Sequence, residues 1–252
     1  MLSLVRGAAS RYRRDRAGVH AASLAYHSAF AVTPLMLFAA AVSSRHWVLQ
    51  LARSVGGERG AEAVRPMIEN APTLRHGAWA TVFGLATLIY AASTLFAELQ
   101  DSLNVIFAAP ERKRGWFRRY LRRRLLSFGL VLMVPLLVLA VPAWSAMLGF
   151  LGRSQYASIA LTFAVEAALF AFLFKVMPDV PVPWSDAWPG AVFTAALFTL
   201  GQALLGLYFN KVAARSVYGA AGSLAALLLW FHVSAQILLF GAEFVQEYRR
   251  PY

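Results

Sequence analysis

Glu166 stands in the middle of an apolar run, Leu161-Thr-Phe-Ala-Val-Glu-Ala-Ala. An ionisable group in hydrocarbon is costly, so a carboxyl there marks a candidate site for a proton or a substrate. Ser158, Thr162 and Glu166 recur every four residues and make one polar stripe on a helix. Two chemistries fit the stripe. It can face a bundle interior as a proton or substrate site, or it can tie helices together through a hydrogen-bonded carboxyl. Gln202 lies inside a second apolar run. Asn210, Lys211 and Arg215 follow near its end, where they line an outward vestibule or solvate the helix terminus.

A second set of polar residues lies at the ends of apolar runs. Thr94, Glu98, Asp101 and Asn104 share one helical sector, and Leu95, Leu99, Leu103 and Ile106 share another. This pattern predicts a helix that continues past Glu98 as an amphipathic extension. Glu98 and Asp101 can hold a cation, a proton or a basic side chain, or they can simply neutralise neighbouring arginines. His232, Gln236 and Glu243 are spaced by four and seven, which places them on one face. His27 sits near Ser23 and Tyr26 at the start of the first apolar run. His27, Glu98, Asp101 and Glu243 are expected in the same half of the molecule, where they could converge into one polar pocket. A lone histidine in such a place otherwise serves as a hydrogen-bonded packing residue.

Catalytic motifs are missing. The sequence has no His-Glu-x-x-His, no Gly-x-Ser-x-Gly and no Gly-x-x-x-x-Gly-Lys, and its histidines (20, 27, 46, 76 and 232) are scattered. There are no cysteines, so thiol chemistry and cysteine-based metal sites are excluded. Neither an enzyme nor a cofactor or metal is expected.

The elements that must position these residues follow from composition. The chain of 252 residues is 59% hydrophobic and 14% charged, with mean hydropathy +0.56. Soluble domains are about 45–50% apolar and about 25% charged. The net charge is nevertheless +12. The combination points to an integral membrane protein with basic residues between its spans. A helix across the bilayer needs about 20 apolar residues. Six stretches meet this: Ala21–Ser43, Ala78–Glu98, Leu125–Leu148, Tyr156–Phe174, Ala187–Phe209 and Val217–Phe244. The expected fold is all-α, a single polytopic membrane domain. Pro34 interrupts the first span, and Pro135 and Pro142 are expected to bend the third.

The basic residues orient the spans. With the N-terminus inside, sixteen of the 24 fall on the cytoplasmic side: Arg6, Arg11, Arg13, Arg14, Arg16, Arg112, Lys113, Arg114, Arg118, Arg119, Arg122, Arg123, Arg124, Lys175, Arg249 and Arg250. Both termini are therefore expected in the cytoplasm. The first span exceeds the 7–15 apolar residues of a signal peptide and reads as retained. The loop Arg112–Arg124 interleaves Trp116, Phe117 and Tyr120 with its cations, which suits anionic lipid headgroups; nucleic acid is not an expected partner. One or two short surface helices are expected in Ser44–Gly77, around Ala61–Asn70. The proline-rich Met177–Pro189 reads as a stiff interfacial turn. Gly219, Gly222, Ser223, Ala225 and Ala226 permit close helix approach, and an oligomer is compatible with this.

Several segments resemble the YihY/virulence factor BrkB family. Ala25-Tyr26 through Phe30 to Pro34 is similar to its helix 1 pattern. Glu98-Leu-Gln-Asp-Ser-Leu-Asn-Val-Ile resembles its Leu-Gln-x-Ala-Leu-Asn-x-Ile segment, and Val217–Ser223 with Leu228–Glu243 resembles its last helix. Ala31 and Ser102 depart from the pattern, where the family often has Ser and Ala. The resemblance implies a six-helix protein of the bacterial inner membrane. Relatives have carried a ribonuclease label, which no acid–base or metal constellation in this chain supports. The expected function is translocation of a small or amphiphilic, lipid-like substrate past Glu166, Glu98, Asp101, His27, His232, Gln236, Glu243 and Gln202. The alternative is a non-transporting envelope assembly factor.

Overall fold

The computed structural model describes residues 2–42, 78–110, 155–211 and 219–249, with isolated positions at 49, 53, 62 and 65. The described residues form six helices and no strand: α1 (Leu2–Arg14), α2 (Ala17–Val42), α3 (Ala78–Ile106), α4 (Gln155–Val176), α5 (Trp184–Lys211) and α6 (Gly219–Tyr248). The expected third span Leu125–Leu148 with its prolines and the basic loop 112–124 lie outside the described residues, and of the stretch 61–70 only Glu62 and Arg65 are described, both helical and exposed. Among the described residues, three helices contain windows long and apolar enough to cross a membrane: Ile159–Val176, Trp184–Tyr208 and Leu224–Tyr248. At most 28% of each window is buried within the protein.

The chain divides into two compact units. The first comprises residues 1–21, 96–203 and 234–252. The second comprises residues 22–95 and 204–233. In the second unit, polar side chains bond locally: Ser93 Oγ donates to Ile89 O at 2.6 Å, and Thr94 Oγ1 donates to Ala91 O at 2.8 Å. Such bonds satisfy hydroxyls inside apolar helices without a tertiary partner.

The first unit is built on α5. Gly190 packs on Val245 and Gly241 on Thr194, so closely that a Cβ at either glycine would collide. Phe193 stacks on Phe244 with centroids 4.3 Å apart. The contact pairs run in opposite directions along the chain, so α5 and α6 are antiparallel. Phe170 meets Phe198 of α5 at 5.6 Å, and Glu166 meets Gln202, which makes α4 antiparallel to α5 as well. Small residues at the α5–α6 contact let the backbones approach and replace the hydrophobic effect as the source of attraction in lipid.

Helix ends hold the α4–α5 connection. Asn104 Nδ2 donates to Asp179 Oδ2 at 2.9 Å, and Asp179 N donates back to Asn104 Oδ1 at 2.8 Å. Gln100 Nε2 donates to Asp179 Oδ1 at 3.1 Å. Lys175 Nζ donates to Val182 O at 2.6 Å, and Arg249 Nη2 donates to Pro181 O at 3.0 Å. The connection is thus tied to the ends of α3, α4 and α6.

Two segments differ from the sequence expectation. The basic N-terminal arm is a helix, α1, which buries Ala8 and Arg11 and exposes Arg6, Arg13 and Arg14. The turn at Met177–Pro189 is shorter than expected, because α5 begins at Trp184. Pro183 precedes the helix, and its carbonyl accepts bonds from Asp186 N and Ala187 N, both at 3.1 Å. Pro189 then costs a single bond to the carbonyl of Ser185, an exposed residue in the first turn of the helix. Pro34 is likewise accommodated within a continuous α2.

Candidate functional site

The polar stripe on α4 meets a matching stripe on α5. Thr199 and Gln202 are three residues apart and so share a face. Gln202 Nε2 donates to Glu166 Oε1 at 3.2 Å, and Thr199 Oγ1 lies 3.4 Å from Glu166 Oε2. Thr199 Oγ1 also lies 2.9 Å from Ala195 O. A hydroxyl has one proton, and the shorter, i–4 contact takes it. Gln202 is therefore a firm donor to Glu166, and Thr199 at most a weak one.

These three side chains line a cavity of about 480 Å³. Its walls are Ile159, Ala160 and Phe163, with Thr162 one turn from Glu166. The volume lies within the range of about 300–1,000 Å³ typical of small-molecule sites. Ile159 is 57% exposed, so the cavity opens to the outside of the described unit. Glu166 is the eighth residue of the Ile159–Val176 window, near mid-span. Thr199 was missed in the sequence; its three-residue spacing from Gln202 was the available signal.

The other expected site residues are distributed over both units. Glu98 Oε1 lies 4.0 Å from His20 Nδ1. Asp101, on the same face of α3, is exposed. Glu243 is fully buried, and neither carboxylate oxygen has a hydrogen-bond partner among the described residues. Over it lies α1, held by Arg11 Nε at 2.8 Å from Glu247 Oε2 and by Tyr12 against Phe240 at 6.0 Å. Burial, and secondarily the charge of Glu243, raises the Tyr12 phenol above its ordinary pKa. Gln236 belongs to the first unit and is half-buried on α6. His27 and His232 belong to the second unit, where His27 Nδ1 is 2.9 Å from Ser23 O. The headgroup candidates Arg112, Lys113, Arg114, Arg118, Arg119, Arg122, Arg123 and Arg124 lie outside the described residues, as does Arg215; so do the side chains of Ser158, Asn210 and Lys211. Among the described residues no group of three or more His, Asp or Glu side chains is placed to hold a metal ion.

Comparison with known proteins places this arrangement in a family. The profile described as Virulence factor BrkB matches residues 8–252. A UPF0761 membrane protein of Albidiferax ferrireducens is 30% identical over 95% of this chain and 61% of its own length. A UPF0761 membrane protein of Pseudomonas aeruginosa is 29% identical over 94% of this chain and 60% of its own. One from Rhodospirillum centenum is 29% identical over 96% of this chain and 56% of its own. The chain thus spans less than two thirds of the length of these relatives. No solved structure matches. An apolar helical architecture, a profile match over nearly the whole chain and relatives named as membrane proteins agree that this chain is a membrane protein belonging to the Virulence factor BrkB (YihY) family.

Proposed function

We propose that the protein is a translocator of an amphiphilic substrate, and that the cavity at Glu166, Thr199 and Gln202 lies on its path. The carrying observation is a mid-span carboxylate with a firm donor at the rim of an apolar cavity. A polar group there lowers the cost of bringing a polar headgroup into hydrocarbon, while Ile159 and Phe163 accept an acyl chain. In this reading the chain has six spans in the bacterial inner membrane, with both termini cytoplasmic. The arginines of 112–124 then rest on anionic headgroups. Glu98, Asp101 and Glu243 belong to the cytoplasmic half, and the protein is not an enzyme.

Purified full-length protein in vesicles tests the reading. It should speed the crossing of acyl-labelled phospholipid analogues, and Glu166→Gln should reduce that rate at least tenfold with the fold intact. Vesicles that move no analogue, together with unchanged lipids and metabolites in cells lacking the protein, would overturn it. A second reading, a non-transporting envelope assembly factor, is favoured by the contact of Gln202 with Glu166, which also ties α4 to α5. It predicts that Glu166→Gln alters stability alone.

A further inference from the structure

We propose that the Glu166 cavity takes a bilayer phospholipid whose headgroup carries a primary amine. The inference rests on the translocator reading and names its substrate class. Three observations carry it.

The first is charge. Among the described residues no cationic side chain pairs with Glu166; its near neighbours are a neutral amide and a neutral hydroxyl. An ionised carboxylate at mid-span needs a counter-charge. A ligand ammonium supplies one, whereas an anionic headgroup without an amine brings a second negative charge to the site.

The second is the direction of the hydrogen bonds. A carboxylate offers about four acceptor positions. Gln202 fills one, and the Thr199 proton is committed to Ala195 O. Gln202 spends its amide nitrogen on Glu166, which leaves its carbonyl oxygen as a further acceptor. Around Glu166, Thr199 and Gln202 acceptor positions thus outnumber donors. A primary ammonium brings three N–H groups to it, while a quaternary ammonium brings none.

The third is shape. The polar groups occupy one side of the cavity, and Ile159, Ala160 and Phe163 form an apolar wall beside them. A small free amine would leave that wall unfilled. An amine joined to hydrocarbon fills both parts and reaches the exposed Ile159 from the lipid.

The test uses phosphatidylcholine vesicles holding the full-length protein and a trace of acyl-labelled phosphatidylethanolamine, phosphatidylglycerol or phosphatidylcholine. A parallel arm measures retention of the same three lipids by the delipidated protein, using native mass spectrometry. The expected result is at least tenfold faster crossing and preferential retention of phosphatidylethanolamine, both abolished by methylation of its amine to the quaternary form. Glu166→Gln should remove the preference. Ala160→Trp, which fills the cavity and leaves Glu166 in place, should do the same if Glu166→Gln fails to fold. Equal crossing and retention of all three lipids would overturn the amine assignment and leave the translocator reading standing. Amine-selective retention without movement would support the site and overturn the translocator reading. No retention and no movement would overturn both.

Discussion

Arg11, buried on α1, forms an ion pair with the half-buried Glu247 on α6. Arg11 Nε lies 2.8 Å from Glu247 Oε2, with side chains only 7% and 23% exposed. Gly7 sits one turn before Arg11, where a Cβ would come within 2.6 Å of the Glu247 carboxylate. This pair fixes α1 across the end of α6 and closes it over Glu243. Removing one partner of a buried pair leaves the other charge uncompensated. Arg11→Ala should therefore destabilise the first unit by about 1–3 kcal/mol. It should also release α1 from its contact with α6. Thermal unfolding in detergent, with amide exchange of residues 2–14, measures both effects. A Tm and α1 protection equal to the parent would show that the pair does not hold the helix.

The clasp between Asn104 and Asp179 makes a different prediction. Asn104 donates to the Asp179 carboxylate and accepts from the Asp179 backbone N–H, and Gln100, which also donates to the carboxylate, is only 4% exposed. Asp179→Ala strands these donors, at a cost of about 1–3 kcal/mol. Asn104→Ala should cost a similar amount. The double variant should be clearly less damaging than the sum of the two, because both single changes break the same contact. Additive losses would mean that each residue acts through other partners.

The end of α3 carries a removable strain. Ala109 N bonds Asn104 O at 2.8 Å and Ala108 N bonds Val105 O at 3.1 Å, the pattern of a Schellman cap. Ala108 occupies the left-handed position with φ 49°. That conformation costs an L-residue with a Cβ about 1–2 kcal/mol, and glycine adopts it freely. Ala108 is exposed, so its methyl group contributes little packing. Ala108→Gly is expected to stabilise the protein by about 1 kcal/mol, read as a rise in Tm. A fall in Tm would show that the greater freedom of glycine in the unfolded chain outweighs the relief.

Local features were legible without coordinates. The apolar runs at Ala78–Glu98, Tyr156–Phe174, Ala187–Phe209 and Val217–Phe244 correspond to α3, α4, α5 and α6. The amphipathic continuation of α3 past Glu98 is present and ends at Ile106. These agree because helix formation in an apolar run depends on spacing and on backbone bonds four residues apart. The N-terminal arm was not legible. Its helix is completed by burial of Arg11 against Glu247, 236 positions away, and an arginine on the packed face looks in the sequence like another surface cation.

The candidate site divides in the same way. Sequence alone determined that Glu166 and Gln202 are polar groups inside apolar helices, because the cost of a carboxyl in hydrocarbon is a property of the residue and its immediate neighbours. It determined the basic excess and the resemblance to a membrane family for the same local reason. Only the tertiary structure decided that Gln202 donates to Glu166, that the shorter contact of Thr199 is to its own helix at Ala195 O, and that Glu243 is buried beside α1. Those outcomes depend on the antiparallel register of α4, α5 and α6. That register is set by Gly190 against Val245, Gly241 against Thr194, and the Asn104–Asp179 clasp. Each is a contact between residues distant in the chain, and spacing along one helix carries no information about which face of another it will meet.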